Sequence, residues 1–116
     1  MKFFFKVLIF FIAFSSQAKE VCDLALKKAN EERVIIPSYQ SGHKVSGDGR
    51  LYFYSAPDEQ CKINDLFIIN GDLVNASVDY NEFTYVIYFS KGGKEFDGWV
   101  KSNRLVPTGT GIGPAK

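Results

Sequence analysis

A chain of 116 residues with 14 Lys and Arg, 13 Asp and Glu and a net charge of +1 has room for one domain and lacks the basic footprint of a nucleic-acid binder. One His and two Cys cannot fill a four-ligand zinc site of the Cys/His kind, so no metal or other cofactor is expected. With 46% hydrophobic and 16% aromatic residues, the sequence is too apolar for wholesale disorder.

Residues 1–18 read as an export leader. Met1-Lys2-Phe3-Phe4-Phe5-Lys6 is a positive start, residues 7–14 (VLIFFIAF) are an unbroken apolar run, and Ser16 and Ala18 form a small-residue cleavage site. The run is shorter than the roughly 20 residues that span a bilayer, so no stable membrane anchor is expected. Lys19-Glu20-Val21 before Cys22 lacks the pattern of a lipoprotein signal. The expectation is cleavage after Ala18 and a periplasmic or secreted domain. Without Lys2 and Lys6 the remainder carries 12 basic and 13 acidic residues, which gives it no pull toward acidic polymers.

Two cysteines in an exported chain of this size read as one disulfide, Cys22–Cys61. Closing a loop of about 40 residues is worth roughly 4 kcal/mol by the chain-entropy argument. The competing reading is a reactive thiol or redox pair. It lacks a CxxC spacing and any basic cluster near either sulfur.

Residues 19–33 place Val21, Leu24, Ala25 and Ala29 at helical spacing, with Lys, Glu and Asn opposite. Val34-Ile35-Ile36 is a short apolar run stopped by Pro37, and 38–49 is polar and glycine-containing, a loop. From Arg50 the period becomes two. Strands are expected at 51–54, 66–69, 73–78, 83–89 and 98–101, with turns at Ser55-Ala56-Pro57-Asp58, Asn70-Gly71-Asp72, Asp79-Tyr80-Asn81-Glu82 and Lys91-Gly92-Gly93-Lys94. Short strands at this spacing indicate a small barrel or sandwich. Strand 83–89 is apolar on both faces and needs cover on both, which the helix near 21–29 would supply. Trp99 reads as core closing the barrel rather than as a ligand platform. Residues 107–116 are expected to form a flexible tail.

Ser55-Ala56-Pro57, Asn70-Gly71-Asp72-Leu73-Val74, the strand Phe83-Thr84-Tyr85-Val86-Ile87-Tyr88, and Gly98-Trp99-Val100 followed by Leu105 come in the order seen in bacterial SH3-type (SH3b) domains, which residues 50–105 resemble. The sequence departs from that pattern in having Phe83 where the family has Trp, and a cysteine in the first long loop. The resemblance implies a mainly β fold, a small SH3-like barrel over 50–106, with Phe83, Val86 and Tyr88 on core positions. An N-terminal helix and loop over 19–49 would be tethered to it by the disulfide.

The residues give no sign of catalysis. His43 lies in a Gly/Ser/Lys loop with no nucleophile motif beside it, and Asp58-Glu59 and Glu95/Asp97 fall in turn-like stretches. Neither Gly47-Asp48-Gly49 nor the glycines at 109–113 end in the Gly-Lys-Ser/Thr of a phosphate loop. The expectation is a non-catalytic binding module for a cell-wall (peptidoglycan) peptide or a protein partner, the second reading being an immunity protein that blocks an exported wall-degrading toxin. Alternation sends Leu51 and Phe53 inward and Tyr52 and Tyr54 outward. Tyr52, Tyr54 and Tyr80 with Asp58 and Glu59 then form an aromatic floor with an acidic rim. Equally, the helix covers Tyr52 and Tyr54 and makes them satellite core.

Overall fold

The structure, a computed structural model, describes residues 2–111, with side chains from Gln17 onward. It is mainly β: one helix, α1 (Lys2–Glu32), and a curled antiparallel half-barrel sheet. The leader expected at 1–18 lies almost wholly outside the described side chains. Helical bonding closes with Arg33 N–H on the Ala29 carbonyl. Three β-branched residues and then Pro37 stop it there, since a residue before proline is pushed out of the helical region.

Eight strands follow among the described residues: β1 (Val34–Ile35), β2 (Gly42–Val45), β3 (Leu51–Tyr54), β4 (Lys62–Ile68), β5 (Leu73–Tyr80), β6 (Phe83–Phe89), β7 (Glu95–Lys101) and β8 (Leu105–Pro107). Their order across the sheet is β4-β3-β7-β6-β5-β2-β8, with β1 also on β5. Three single-turn 3-10 segments, Ser38–Gln40, Glu59–Cys61 and Ser102–Arg104, join them.

Several expected boundaries move: β4 begins at Lys62 rather than 66, β7 at Glu95 rather than 98, and β5 runs on to Tyr80. The stretch 38–49 is not all loop: β2 pairs with β5 (His43↔Val74) and with β8 (His43↔Pro107), so the sheet begins well before residue 50. Only Val45 of β2 is a buried apolar side chain, which left the strand without a hydrophobic alternation to betray it. The sheet also runs later than expected. Pro107 is in a strand, Thr108 N–H donates to the Gly42 carbonyl, and Gly42 N–H to that of Thr110. The rest of the expected tail, 112–116, lies outside the described residues.

The turns follow side-chain chemistry. Gly71 takes φ 96° after Asn70, and the Asp72 carboxylate accepts the Ile69 N–H at 2.8 Å. The Arg104 guanidinium donates to the carbonyls of Ser46, Gly47 and Gly49, tying the turn after β2 to the 3-10 segment that leads into β8. The inner face of the sheet holds the main core: Val45, Leu51, Phe53, Ile68, Val74, Ala76, Val86 and Val100. Burying such side chains contributes about 1.5–3 kcal/mol each.

The outer face carries a second cluster. Tyr54, Phe83 and Trp99 pack together under Ala29 of α1. Alanine suits that position because its short side chain lets the helix approach the three rings closely. Cys22 and Cys61 stand at disulfide distance, Cα–Cα 5.8 Å, and fasten α1 to the 3-10 turn before β4. Phe83 therefore does not share the inner face with Val86 and Tyr88. β6 pairs with β7 without a register shift from Phe83↔Lys101 to Phe89↔Glu95, so odd and even residues face opposite ways.

Candidate functional site

Of the five residues expected to form one surface, the three tyrosines share the outer-face cluster, with Tyr54 buried in it and Tyr52 and Tyr80 half-buried against it. Alternation along β3 holds: Leu51 and Phe53 go to the inner core, Tyr52 and Tyr54 to the outer side. Tyr54 is only 6% exposed, edge-on to Phe83 with ring centroids 5.0 Å apart. It is satellite core, covered by the helix, and is not part of an open surface. Burial, with the Glu59 charge, raises its pKa.

Tyr80 and Asp58 do come together. With Val21, Leu24, Ala25, Lys28, Pro57 and Asn81 they line a cavity of about 310 Å³ where α1 meets the sheet. Both also have structural partners there. The Tyr80 hydroxyl donates to Glu32 at 3.5 Å, and the Asp58 carboxylate caps the 3-10 turn by accepting the Gln60 N–H at 2.9 Å. Glu59 forms an ion pair with Lys101, whose ammonium is held above its usual pKa, chiefly by that hydrogen bond. Tyr52, half-buried at the edge of the outer cluster, is edge-on to Phe67 at 5.7 Å. Neither carboxylate of the expected rim is without a partner: Asp58 caps a turn and Glu59 is paired with Lys101.

A groove that the sequence did not announce lies where the C-terminal end of α1 leaves the sheet. Leu26, Asn30 and Arg33 form its helical wall, Ile35, Ile36 and Val78 one flank, and Tyr85 and Trp99 its floor, around about 470 Å³. Ile35 is 68% exposed, and Val34 and Leu26 are also open to solvent. The Tyr85 ring stands edge-on to Trp99 at 5.4 Å, and its hydroxyl donates to Asp97. Burial first, then the hydrogen bond to Asp97 and the charges of Asp97 and Glu95, push the Tyr85 pKa up to about 12. At neutral pH this phenol is a neutral donor fixed on a carboxylate. The signal available in the sequence was the Val34-Ile35-Ile36 run itself, since a two-residue strand pairing only with β5 cannot bury three large apolar side chains.

His43 sits at another cavity, with Tyr39, Gln40, Asp79 and Pro107 around it, and its Nδ1 lies 3.0 Å from the Ser41 carbonyl. Asp79 is engaged on its far side. It accepts from the buried Thr84 hydroxyl at 2.6 Å, and that hydroxyl also meets Ser102 Oγ at 2.7 Å. Among the described residues, no three His, Cys, Asp or Glu side chains gather as a metal-binding group. Comparison with known proteins finds no matching family model, no similar curated protein and no similar solved structure.

Proposed function

We propose that this chain is an exported, non-catalytic binding module of the SH3-like kind, released after Ala18 and working on a protein partner in the periplasm or outside the cell. The observation that carries the reading is the groove between α1 and the sheet. It is concave and largely apolar, floored by Trp99 and Tyr85, which belong to the packed outer cluster. Grooves with buried aromatic floors are where a few residues dominate association. An apolar partner side chain would fill it, and a carboxylate beside that side chain would meet Arg33. A peptidoglycan peptide is the other ligand that the SH3b resemblance implies, and a wall-degrading toxin is the partner under the immunity reading.

Ile35→Asp is the discriminating variant, because Ile35 is exposed and its loss leaves the core intact. Tagged protein captures its partner from periplasmic extract, and the same partner is absent from the Ile35→Asp capture although the variant melts at the wild-type temperature. Equal capture by both proteins removes the groove from the site. Co-sedimentation with purified cell wall separates the wall peptide from a protein partner, and a captured wall hydrolase whose activity falls on binding identifies the inhibitor. Purified protein assayed on cell wall, peptides and esters gives background rates only. Activity abolished by His43→Ala would overturn the non-catalytic reading.

A further inference from the structure

At the β4–β3 end of the sheet, two cations lie against two rings. The Arg50 guanidinium carbon is 4.4 Å from the centroid of Phe67, and Lys62 Nζ is 4.1 Å from that of Tyr52. The rings are edge-on to each other, and an Arg50 N–H donates to the Tyr52 hydroxyl at 3.4 Å. Register explains the grouping: Tyr52 pairs with Phe67 and Tyr54 with Lys62 on the same face, and Arg50 leads into β3. Arg50, Lys62 and Phe67 are all solvent-exposed.

The charges are uncompensated. The ion pair among the described residues is Lys101–Glu59, so neither Arg50 nor Lys62 has a carboxylate within salt-bridge distance. Asp65, the exposed acid on β4, lies in the irregular stretch between the two paired ends of that strand. A cation stacked on a ring face keeps its N–H groups for an incoming anion.

We infer that the Arg50–Phe67–Tyr52–Lys62 strip is a second contact surface, for an acidic protein segment carrying carboxylates beside an aromatic or apolar side chain. Charge complementarity selects the acid, and the rings supply contact area for the apolar group. The nearly balanced charge of the whole chain argues against a long polyanion, because the positive potential is confined to this strip. The strip belongs to β3 and β4, the groove to α1, β1, β5, β6 and β7, so the two can be tested separately.

Synthetic peptides alternating Glu with Tyr, Gln with Tyr and Lys with Tyr serve as probes against the purified protein, read by fluorescence anisotropy and by NMR amide shifts. The Glu–Tyr peptide binds, weakens as salt is raised, and shifts residues 50–52, 62 and 67. Combined Arg50→Gln and Lys62→Gln weakens it by at least about tenfold with an unchanged melting temperature, and Ile35→Asp leaves it unaltered. Equal binding of the Gln–Tyr or Lys–Tyr peptide overturns the proposal. So do amide shifts confined to the groove, binding to phosphatidylglycerol vesicles without binding to the peptide, or no binding at all.

Discussion

Gly98 lies against Phe53 so closely that a Cβ on Gly98 would stand 2.9 Å from Phe53 Cδ2 and 3.3 Å from the Tyr54 carbonyl oxygen. Phe53 is wholly buried in the inner core and cannot retreat. Gly98→Ala is therefore an overpacking substitution that separates β7 from β3, and it costs about 1–3 kcal/mol. Urea denaturation measures it, and a midpoint within error of wild type would show that the two strands have slack.

Tyr52 and Tyr54 are two residues apart and have different jobs. Tyr54→Ala empties the cluster under Ala29 and costs about 3–5 kcal/mol. Tyr52→Ala removes a half-buried ring from the edge of that cluster and costs less than half as much. Thermal melts of the two variants side by side check the ranking, and equal losses would place Tyr52 in the core as well.

Cys22 and Cys61, separated by 39 residues, hold α1 to the 3-10 turn Glu59–Cys61, while Ala29, further along the helix, holds it to the outer cluster. Cys22→Ser lowers stability by about 2–5 kcal/mol. The loss is felt first by the outer cluster, so Trp99 fluorescence shifts toward that of a solvated indole before the inner core opens. Intact-mass measurement with alkylation, with and without reductant, checks the pairing directly, and two freely alkylated cysteines in the native protein would refute it.

The contrast between the two sides of the sheet explains what the sequence could reveal. Leu51, Phe53, Val86 and Val100 alternate with residues of the other face, so β3, β6 and β7 were visible as strands and the inner core as their shared side. β2 was invisible because Gly42, His43 and Lys44 carry no apolar alternation and are placed by β5 and β8 on either side. Tyr54 left two readings because an outward tyrosine looks alike in sequence whether a helix covers it or water does. The groove at Ile35 was hidden for a related reason: its walls come from α1, β1, β5, β6 and β7, and no local pattern records that they meet. The partners of the expected acidic rim are not local: the Asp58 carboxylate caps a 3-10 turn, and Glu59 finds Lys101 across 42 residues.

Tyr85 makes the pH dependence of stability specific. Its pKa is about 12 in the fold against 10.0 for the free side chain, so the folded state holds the phenolic proton more tightly than the unfolded state. Its contribution is complete below pH 10 and is lost as pH rises from 10 toward 12, where the unfolded chain has given up the proton and the folded chain has not. Tyr85→Phe lacks that proton, and its stability falls less steeply over the window. Denaturation midpoints of both proteins from pH 9 to 12 test this, and parallel curves would mean that Tyr85 titrates normally.

The hairpin between β5 and β6 turns on two residues, Asn81 and Glu82, with Tyr80 opposite Phe83. Both turn residues have positive φ, 51° and 69°. This is the backbone that a two-residue hairpin requires to match the twist of its strands, and Asn-Gly fills it best. Asn81 tolerates the left-handed region, but Glu82 pays about 1 kcal/mol for its Cβ there. Its side chain is exposed, and the carbonyl accepting the Ser102 N–H at 3.0 Å belongs to the backbone and survives substitution. Glu82→Gly relieves the strain, loses part of the gain to the greater freedom of glycine in the unfolded chain, and stabilises the protein by a few tenths to about 1 kcal/mol. Glu82→Val, β-branched and exposed at the same φ, destabilises it by at least as much. Urea midpoints of the two variants bracket wild type on opposite sides, and a loss of stability in Glu82→Gly would show that the turn is not strained at this residue.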